Sequence, residues 1–287
     1  MGKGGVIMKL ECISMKGSGK SNEDAYVIQQ VMNVYAVIDG ITSLIPYENA
    51  AGQTGGAIAA ELVKKQLEAI PEDAVLHDYM EMVNEALREQ MRQSGIDLEK
   101  KEALWGAACA VVRVKDAQIE YAQLGDCMIF AVYDDDMVRP LTHTQVSHLE
   151  QAALAKWEEG INEGLCTRTE LYERCMDILI HNRYQANGSG GYGVLNGDVA
   201  CRNFIEYGRM NRVGVKALVL ATDGLFMPRA VGGAQPEWEE TVLPIVHKGL
   251  QRYTDELISL ENNDPECIHY IRFKKSDDKT GMILYLH

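Results

Sequence analysis

The order of short strands and amphipathic helices constrains the fold of this chain more than any single motif does. Short runs of β-branched and aromatic residues, bounded by turns and polar loops, predict strands. The predicted strands cover residues 6–13, 25–30, 34–38, 107–114, 119–124, 128–133, 217–221 and 282–286. The strands come in groups rather than in strict alternation with helices, and this order favours a layered α+β sandwich over a doubly wound sheet.

Helices are predicted between the groups of strands. Apolar residues recur at three- and four-residue spacing over 58–70, and again over 75–87, where Asp73 is a candidate N-cap. Helical spacing returns over residues 145–185, and one polar helix is predicted over 237–260. The apolar stripe of each helix must be buried against a sheet, so the helices are expected to flank the sheets.

Length and composition indicate one globular domain over residues 1–287. Hydrophobic residues make up 46% and charged residues 24% of the chain, and no apolar run approaches the roughly 18 residues of a membrane span. We see no internal repeat or linker that would divide the chain. The start lacks the apolar core of a signal peptide, and the seven cysteines include no C-x-x-C pair, so a reducing cytoplasm is expected.

The formal net charge of −14 limits the classes of partner. Nucleic-acid binders carry a basic stripe that releases counterions, and no such stripe is visible here. Neither a nucleic acid nor a membrane is therefore an expected partner. An acidic protein that acts on anionic phosphate needs a local positive centre, and bound divalent cations are the strongest such centre available.

Acidic residues recur where the predicted strands begin or end. They are Glu23-Asp24, Asp39-Gly40, Asp126, Asp223-Gly224 and Asp277-Asp278. Mg²⁺ and Mn²⁺ prefer carboxylate and carbonyl oxygens, which loops at one sheet edge can supply from distant positions. A glycine after the aspartate lets the backbone turn tightly and offer its own carbonyl. One Asp-Gly alone is more often a plain turn, so the joint pattern predicts the metal site.

Five short motifs follow one another along the chain. They are S-N-E-D-A-Y at 21–26, V-Y-A-V-I-D-G at 34–40, A-Q-L-G-D-C at 122–127, L-V-L-A-T-D-G-L-F at 218–226 and D-D-K-T at 277–280. In this order they resemble the motifs of the metal-dependent type 2C (PPM) serine/threonine protein phosphatases, as in a divergent member of bacterial type. The resemblance spans nearly the whole chain. It implies a four-layer α-β-β-α sandwich with two antiparallel sheets flanked by helix pairs.

The resemblance also implies an activity and its cofactors. The chain would hydrolyse phosphoserine and phosphothreonine in a phosphoprotein substrate by attack of a hydroxide that bridges two Mg²⁺ or Mn²⁺ ions. Carried over residue by residue, Asp39 would bridge the two ions together with the Gly40 carbonyl. Asp223 and Asp277 would hold one ion, and Glu23 would face the other.

Three further acidic residues receive lesser roles from the same resemblance. Asp126, with the aspartate at 223, would hold a third and looser ion. Asp24 would lie behind the ligands. Of the adjacent pair Asp277-Asp278, the four-residue pattern ending in Thr280 selects the first as the ligand and leaves Asp278 to orient the loop.

Two positions depart from the family pattern. The histidine that usually follows Asp-Gly, proposed as the proton donor to the leaving group, is Ile41 here, and isoleucine cannot donate a proton. The phosphate-binding arginine expected four residues before Glu23 is Gly19, and the neighbouring Lys20 offers a point charge without a bidentate fork. A catalytically degenerate binding or regulatory module of the same fold is therefore the alternative to an active enzyme.

Two other segments bear on function. Residues 17–21, G-S-G-K-S, imitate the end of a nucleotide-binding P-loop, but Ser14 stands where the first glycine belongs and no amphipathic helix follows. Residues 144–212 fit the family least and are predicted to form a flap beside the metals. From this flap, Arg183 and Arg202 are candidate phosphate contacts.

Overall fold

Two five-stranded antiparallel sheets stack face to face in the computed structural model, which describes residues 7–286. The first sheet has the order β1 (Ile7–Met15), β10 (Lys279–Leu286), β9 (Val215–Ala221), β6 (Met128–Tyr133), β7 (Val138–Pro140). The second has the order β2 (Asp24–Gln29), β3 (Val34–Ile41), β4 (Gly106–Val114), β5 (Gln118–Leu124), β8 (Glu206–Asn211). Residue 6, where the first strand was predicted to begin, lies outside the described residues.

Helix pairs cover the outer faces of both sheets. Helices α1 (Gly55–Glu68) and α2 (Leu76–Gln93) pack on the second sheet, whereas α5 (Trp238–Lys248) and α6 (Leu250–Asn263) pack on the first. The predicted four-layer α-β-β-α sandwich is therefore confirmed. No helix among residues 7–286 is both long enough and apolar enough to cross a membrane.

The core follows the alternation of side chains along each strand. Val37 faces the other sheet, in a buried layer with Leu218 and Leu284, whereas its neighbour Ile38 faces the helices and packs in the layer that holds Val63 of α1. Successive strand residues point to opposite faces. Strands that are covered on both faces are therefore apolar at almost every position, which is why their short runs are visible in the sequence.

A third helix pair lies beside the sandwich, within the segment that was predicted to form a flap. Helices α3 (Ser147–Asn162) and α4 (Arg168–Tyr184) have their own small apolar cluster around Trp157. The indole Nε1 of Trp157 donates to the Cys267 carbonyl at 3.0 Å, which ties the pair to the segment before β10. The predicted flap extended to residue 212, but residues 206–211 form β8 and pair with β5.

The structure differs from the predicted elements at three points. The helix predicted over 237–260 is two helices, because Gly249 has a positive φ of 87°, a conformation that favours glycine and ends α5. The N-cap of α2 is Val75 rather than Asp73, and it makes no side-chain capping bond. Strands β7 and β8 were not predicted.

Candidate metal centre

Strand pairing brings Asp24 and Asp39 together at one end of the sandwich. The two residues are register partners on β2 and β3. The hydroxyl of Thr222, which follows β9 in the other sheet, donates to Asp24 Oδ2 at 2.9 Å. This hydrogen bond links the two sheets at the point where their acidic loops meet.

Asp223 begins a single 3-10 turn directly after β9. Its Oδ1 is buried and has no hydrogen-bond partner. Burial, followed by the charges of Asp277 and Asp126, raises the pKa of Asp223 to about 7. A buried carboxylate oxygen without a donor is costly, and a cation at this position would satisfy it.

The carboxylates of the other site aspartates share one electrostatic environment. Burial raises the pKa of Asp39 well above its usual range, and the charges of Asp24, Asp223, Asp126 and Asp277 add to this. Burial also raises the pKa of Asp126 to about 6. Clustered carboxylates disfavour one another's ionisation, so this sheet edge is a place of concentrated negative charge.

Asp126 lies in the tight turn that connects β5 of the second sheet to β6 of the first, because these two strands do not pair with each other as in a hairpin. The preceding Gly125 has φ 84°, and a Cβ at that position would lie 2.6 Å from the Cβ of Ala108 on the neighbouring strand. Glycine at 125 thus serves both the turn and its close approach to β4.

The two adjacent aspartates before β10 make different contacts. Asp278 accepts hydrogen bonds from the backbone N–H groups of Gly17 and Glu23, each at 2.7 Å. Asp277 Oδ1 instead accepts from Lys274 Nζ at 2.7 Å and from the Asp278 N–H at 2.9 Å. Asp278 thus orients two backbone segments, while the Asp277 carboxylate lies beside the aspartate cluster.

Glu23 is positioned by the starts of β2 and α1. Its two carboxylate oxygens accept from the hydroxyls of Thr42 and Thr54, and its carbonyl accepts from the Gly40 N–H at 3.0 Å. A Cβ at Gly56 would lie only 2.9 Å from Glu23 Oε1. Glycine in the first turn of α1 therefore leaves the space that the Glu23 carboxylate occupies.

The candidate phosphate-binding cations lie in different surroundings. Lys20 is 86% exposed and pairs with Glu48 at 3.3 Å. Arg202 pairs with Glu81 on α2 at 3.8 Å. The charge of Arg183, near the end of α4, opposes the rise in the pKa values of Asp126 and Glu150.

Sequence reasoning missed several residues at this centre. Burial raises the pKa of Glu150 on α3 to about 7, and the charge of Asp223 adds to this. Thr42, Thr54 and Lys274 were also missed, because isolated polar residues in loops carry no periodic signal. The only available signal was local: Thr42 comes two residues after the Asp39-Gly40 motif.

A second group of potential ligands lies away from the sheet edge. At the start of α2, His77 Nδ1 lies 3.0 Å from Asp78 Oδ1 and 3.7 Å from Glu81 Oε1. Asp78 is 73% exposed, and such exposed groups are common without an ion. Among residues 7–286, only this group has ligand atoms from three residues within 4.8 Å of one another. No three of the described carboxylates at the sheet edge lie that close together.

The residues at the sheet edge fit divalent metal ions. They offer oxygen atoms alone, which suit Mg²⁺ and Mn²⁺. They include the orphaned Asp223 Oδ1, and neutralisation by cations would relieve the repulsion that raises their pKa values.

The family model of protein phosphatase 2C matches residues 14–260. The chain belongs to this family. The matched range includes every candidate ligand except Asp277, which lies in the closing segment beyond residue 260. No curated protein sequence matches the chain.

Several solved structures that match the chain are bacterial phosphatases. The serine/threonine phosphatase Stp1 from Staphylococcus aureus superposes with a TM-score of 0.59 at 15% identity, covering 99% of this chain and 96% of that one. PstP/Ppp from Mycobacterium tuberculosis gives 0.59 at 17% identity, covering 98% and 99%. The catalytic domain of PstP in complex with two manganese ions gives 0.58 at 17% identity, covering 98% of each chain. At these identities the likeness establishes the shared fold.

Proposed function

We propose that this chain is a metal-dependent phosphatase that hydrolyses phosphoserine and phosphothreonine in proteins. The observation that carries the proposal is the buried, unpartnered Asp223 Oδ1 in a cluster of carboxylates with raised pKa values. Such a cluster repels itself unless cations neutralise it. Family membership supports the phosphatase chemistry, and the whole chain would act as one phosphatase domain.

The proposed ligands divide between two ions. Asp39, Asp223 and Asp277 would hold one Mg²⁺ or Mn²⁺, while Asp39, the Gly40 carbonyl and Glu23 would hold the other. The manganese pair in PstP supports the choice of ion. Bound in this way, two ions would lower the pKa of the attacking water and neutralise charge on the phosphate oxygens.

A third, looser ion is proposed between Asp126 and Asp223. The two carboxylates interact, because the charge of Asp126 contributes to the raised pKa of Asp223. Asp24 and Asp278 would support the ligands from behind, through their contacts with Thr222 and with the backbone of Gly17 and Glu23.

Arg183 is the proposed substitute for the arginine that is missing at Gly19. It comes from the flap, and its charge acts on Asp126 and Glu150, whereas Lys20 and Arg202 pair with Glu48 and Glu81 on the surface. Its guanidinium can offer two parallel N–H donors to a phosphate. A phosphate that enters between flap and sheet edge would meet this side chain.

Ile41 packs against the apolar cluster of Ala186, Tyr192 and Val194, which lie in the segment after α4. This cluster fills the place next to Asp39-Gly40 with apolar groups, so the leaving oxygen would take its proton from solvent or from a group on the substrate side. Aryl phosphates, which are good leaving groups, should then be hydrolysed faster than alkyl phosphates.

The test is hydrolysis of p-nitrophenyl phosphate and of a phosphothreonine peptide. Protein stripped with EDTA should be inactive, and Mn²⁺ or Mg²⁺ should restore turnover, whereas a zinc-specific chelator should have little effect because the ligands are oxygens. Activity that persists in excess EDTA would contradict the proposal. Bound metal without turnover of either substrate would favour the alternative, a binding or regulatory module. This alternative is supported by Ile41 and Gly19, which replace the histidine and the arginine of the family pattern.

A further inference from the structure

Lys274 lies in the segment between α6 and β10, and this segment is tightly anchored. Asp264 accepts from the backbone N–H groups of residues 268–270 and from Arg272 Nη1 at 2.9 Å. Arg272 Nε donates to the Lys275 carbonyl at 3.1 Å. The backbone beside Lys274 is therefore fixed, while its own side chain is 59% exposed.

The ammonium of Lys274 contacts one candidate ligand and interacts through its charge with two others. Its Nζ is 2.7 Å from Asp277 Oδ1. Neighbouring protein atoms that displace water from its ammonium would alone lower the pKa of Lys274, but the charges of Asp277, Asp39 and Asp223 outweigh this effect and raise that pKa above its ordinary value. These three aspartates are the ones proposed to hold a single metal ion.

An ammonium and a divalent ion make different demands on these carboxylates. Ammonium hydrogen bonds have N–O distances of about 2.7–2.9 Å, whereas Mg²⁺ binds oxygen at about 2.0–2.1 Å in strict octahedral geometry. Among the described residues, the aspartates at this edge do not place three oxygens within 4.8 Å of one another. Binding of an ion would have to draw them closer, and its charge would repel the nearby ammonium.

We propose that Lys274 is a tethered cation that competes with the divalent ion for Asp39, Asp223 and Asp277, and so sets the metal affinity of this centre. The inference rests on the proposed function. The exposed side chain can swing towards solvent when the ion enters, and the anchored backbone need not move. Lys274 stabilises the metal-free centre and weakens metal binding.

The experiment compares Lys274→Met with the parent protein, with Lys275→Met as the matched control at the next, exposed lysine. Isothermal titration of EDTA-stripped protein with MnCl₂ should show about fivefold tighter binding for Lys274→Met, the upper range expected for losing one exposed charge pair. Its melting temperature without metal should fall below that of the parent. Lys274→Arg keeps the charge and should bind Mn²⁺ with the parent's affinity, and Lys275→Met should match the parent in both measurements.

The outcomes separate this inference from the proposed function. Equal Mn²⁺ affinity in the parent and Lys274→Met would overturn the inference alone. Weaker binding in Lys274→Met would also overturn it, because Lys274 would then be orienting Asp277 for the ion. If neither protein binds Mn²⁺, the metal centre itself is wrong and both proposals fail.

Discussion

Asp277 and Asp278 are adjacent in sequence but serve different purposes. Asp278 uses its carboxylate to hold two backbone N–H groups, one before β2 and one in the loop after β1. Asp277 keeps one oxygen for Lys274 and for the N–H of Asp278. A residue that binds two N–H groups is committed to the backbone, whereas a residue beside other carboxylates is available to a cation.

Substitution by asparagine should separate ligand aspartates from supporting aspartates. Asp39→Asn removes one strong oxygen from both proposed ions. The resulting loss of transition-state stabilisation, measured from kcat/KM for p-nitrophenyl phosphate, should be at least about 2–4 kcal/mol. Added Mn²⁺ should not rescue it. In Asp278→Asn the amide NH₂ cannot accept, which costs stability of about 1–3 kcal/mol but leaves substantial turnover.

The measurements are kcat/KM over a Mn²⁺ series and urea unfolding of both variants. Parent-like activity and metal affinity in Asp39→Asn would show that this aspartate is only a turn residue. Loss of turnover in Asp278→Asn at temperatures where it remains folded would assign that residue to the metals instead.

The sequence predicted the acidic part of the centre better than its other parts. The acidic residues are visible as a pattern, because a predicted strand begins or ends next to each of them. Glu150, Lys274 and the two threonines on Glu23 come from helices and loops that fold back from elsewhere. Their positions near the acidic residues depend on tertiary packing, and local periodicity carries no information about tertiary packing.

At the scale of elements, one buried ion pair joins α6 to the start of β10. Lys279 Nζ contacts Glu261 Oε1 at 2.9 Å, and the two side chains are 1% and 7% exposed. The same ammonium donates to the Asp277 carbonyl at 3.0 Å. The helix thus holds the segment before β10, which carries Asp277.

Breaking this pair on one side should be more damaging than removing both charges. Lys279→Met leaves Glu261 buried without its partner, which should lower the free energy of unfolding by about 3–5 kcal/mol. The double variant Lys279→Met/Glu261→Met should recover much of that loss, because no buried charge remains. Urea unfolding at pH 7 with excess Mn²⁺ measures both, with exposed Lys275→Met as the control. An equal loss in the single and double variants would contradict a dominant charge penalty.

The pattern of elements was predictable where strands are buried and helices are amphipathic. The run 128–133 matches β6 in full, because every residue there packs in the core and the apolar pattern has clear ends. Strand β8 escaped prediction because it is an edge strand with glycine and polar residues, and β7 because it spans three residues including Pro140. The division between α5 and α6 depends on the backbone conformation of one glycine.

At the scale of the whole molecule, the acidic centre opposes the folding of the metal-free protein. The sandwich assembles carboxylates from five separate stretches of the chain at one edge. In the unfolded chain these groups are solvated and far apart, so they ionise near their ordinary pKa of 3.8. Folding brings them together at a free-energy cost that depends on pH.

The sign of this dependence follows from proton binding. Because the folded pKa of Asp223 is about 7 and that of Asp126 about 6, the folded state binds more protons than the unfolded state between about pH 4 and pH 7. Stability must then fall as pH rises through this window. The penalty is complete above the folded pKa values and absent below the unfolded ones.

The unfolding free energy of EDTA-treated protein should therefore decrease from pH 5 to pH 8, by an amount to which Asp223 contributes roughly 2–4 kcal/mol at 1.36 kcal/mol per pKa unit. Asp223→Asn carries no charge at either pH, so its advantage over the parent should be small at pH 5 and grow by that amount at pH 8. Urea unfolding of both proteins in EDTA at the two pH values measures the difference between their unfolding free energies. Titration of other groups contributes equally to both proteins and so cancels in this difference. Saturating Mn²⁺ should reverse the order at pH 8, because the ion binds the folded parent and stabilises it by mass action. A difference that stays constant or shrinks towards pH 8 in EDTA would mean that Asp223 ionises freely in the folded protein and does not belong to a self-repelling cluster.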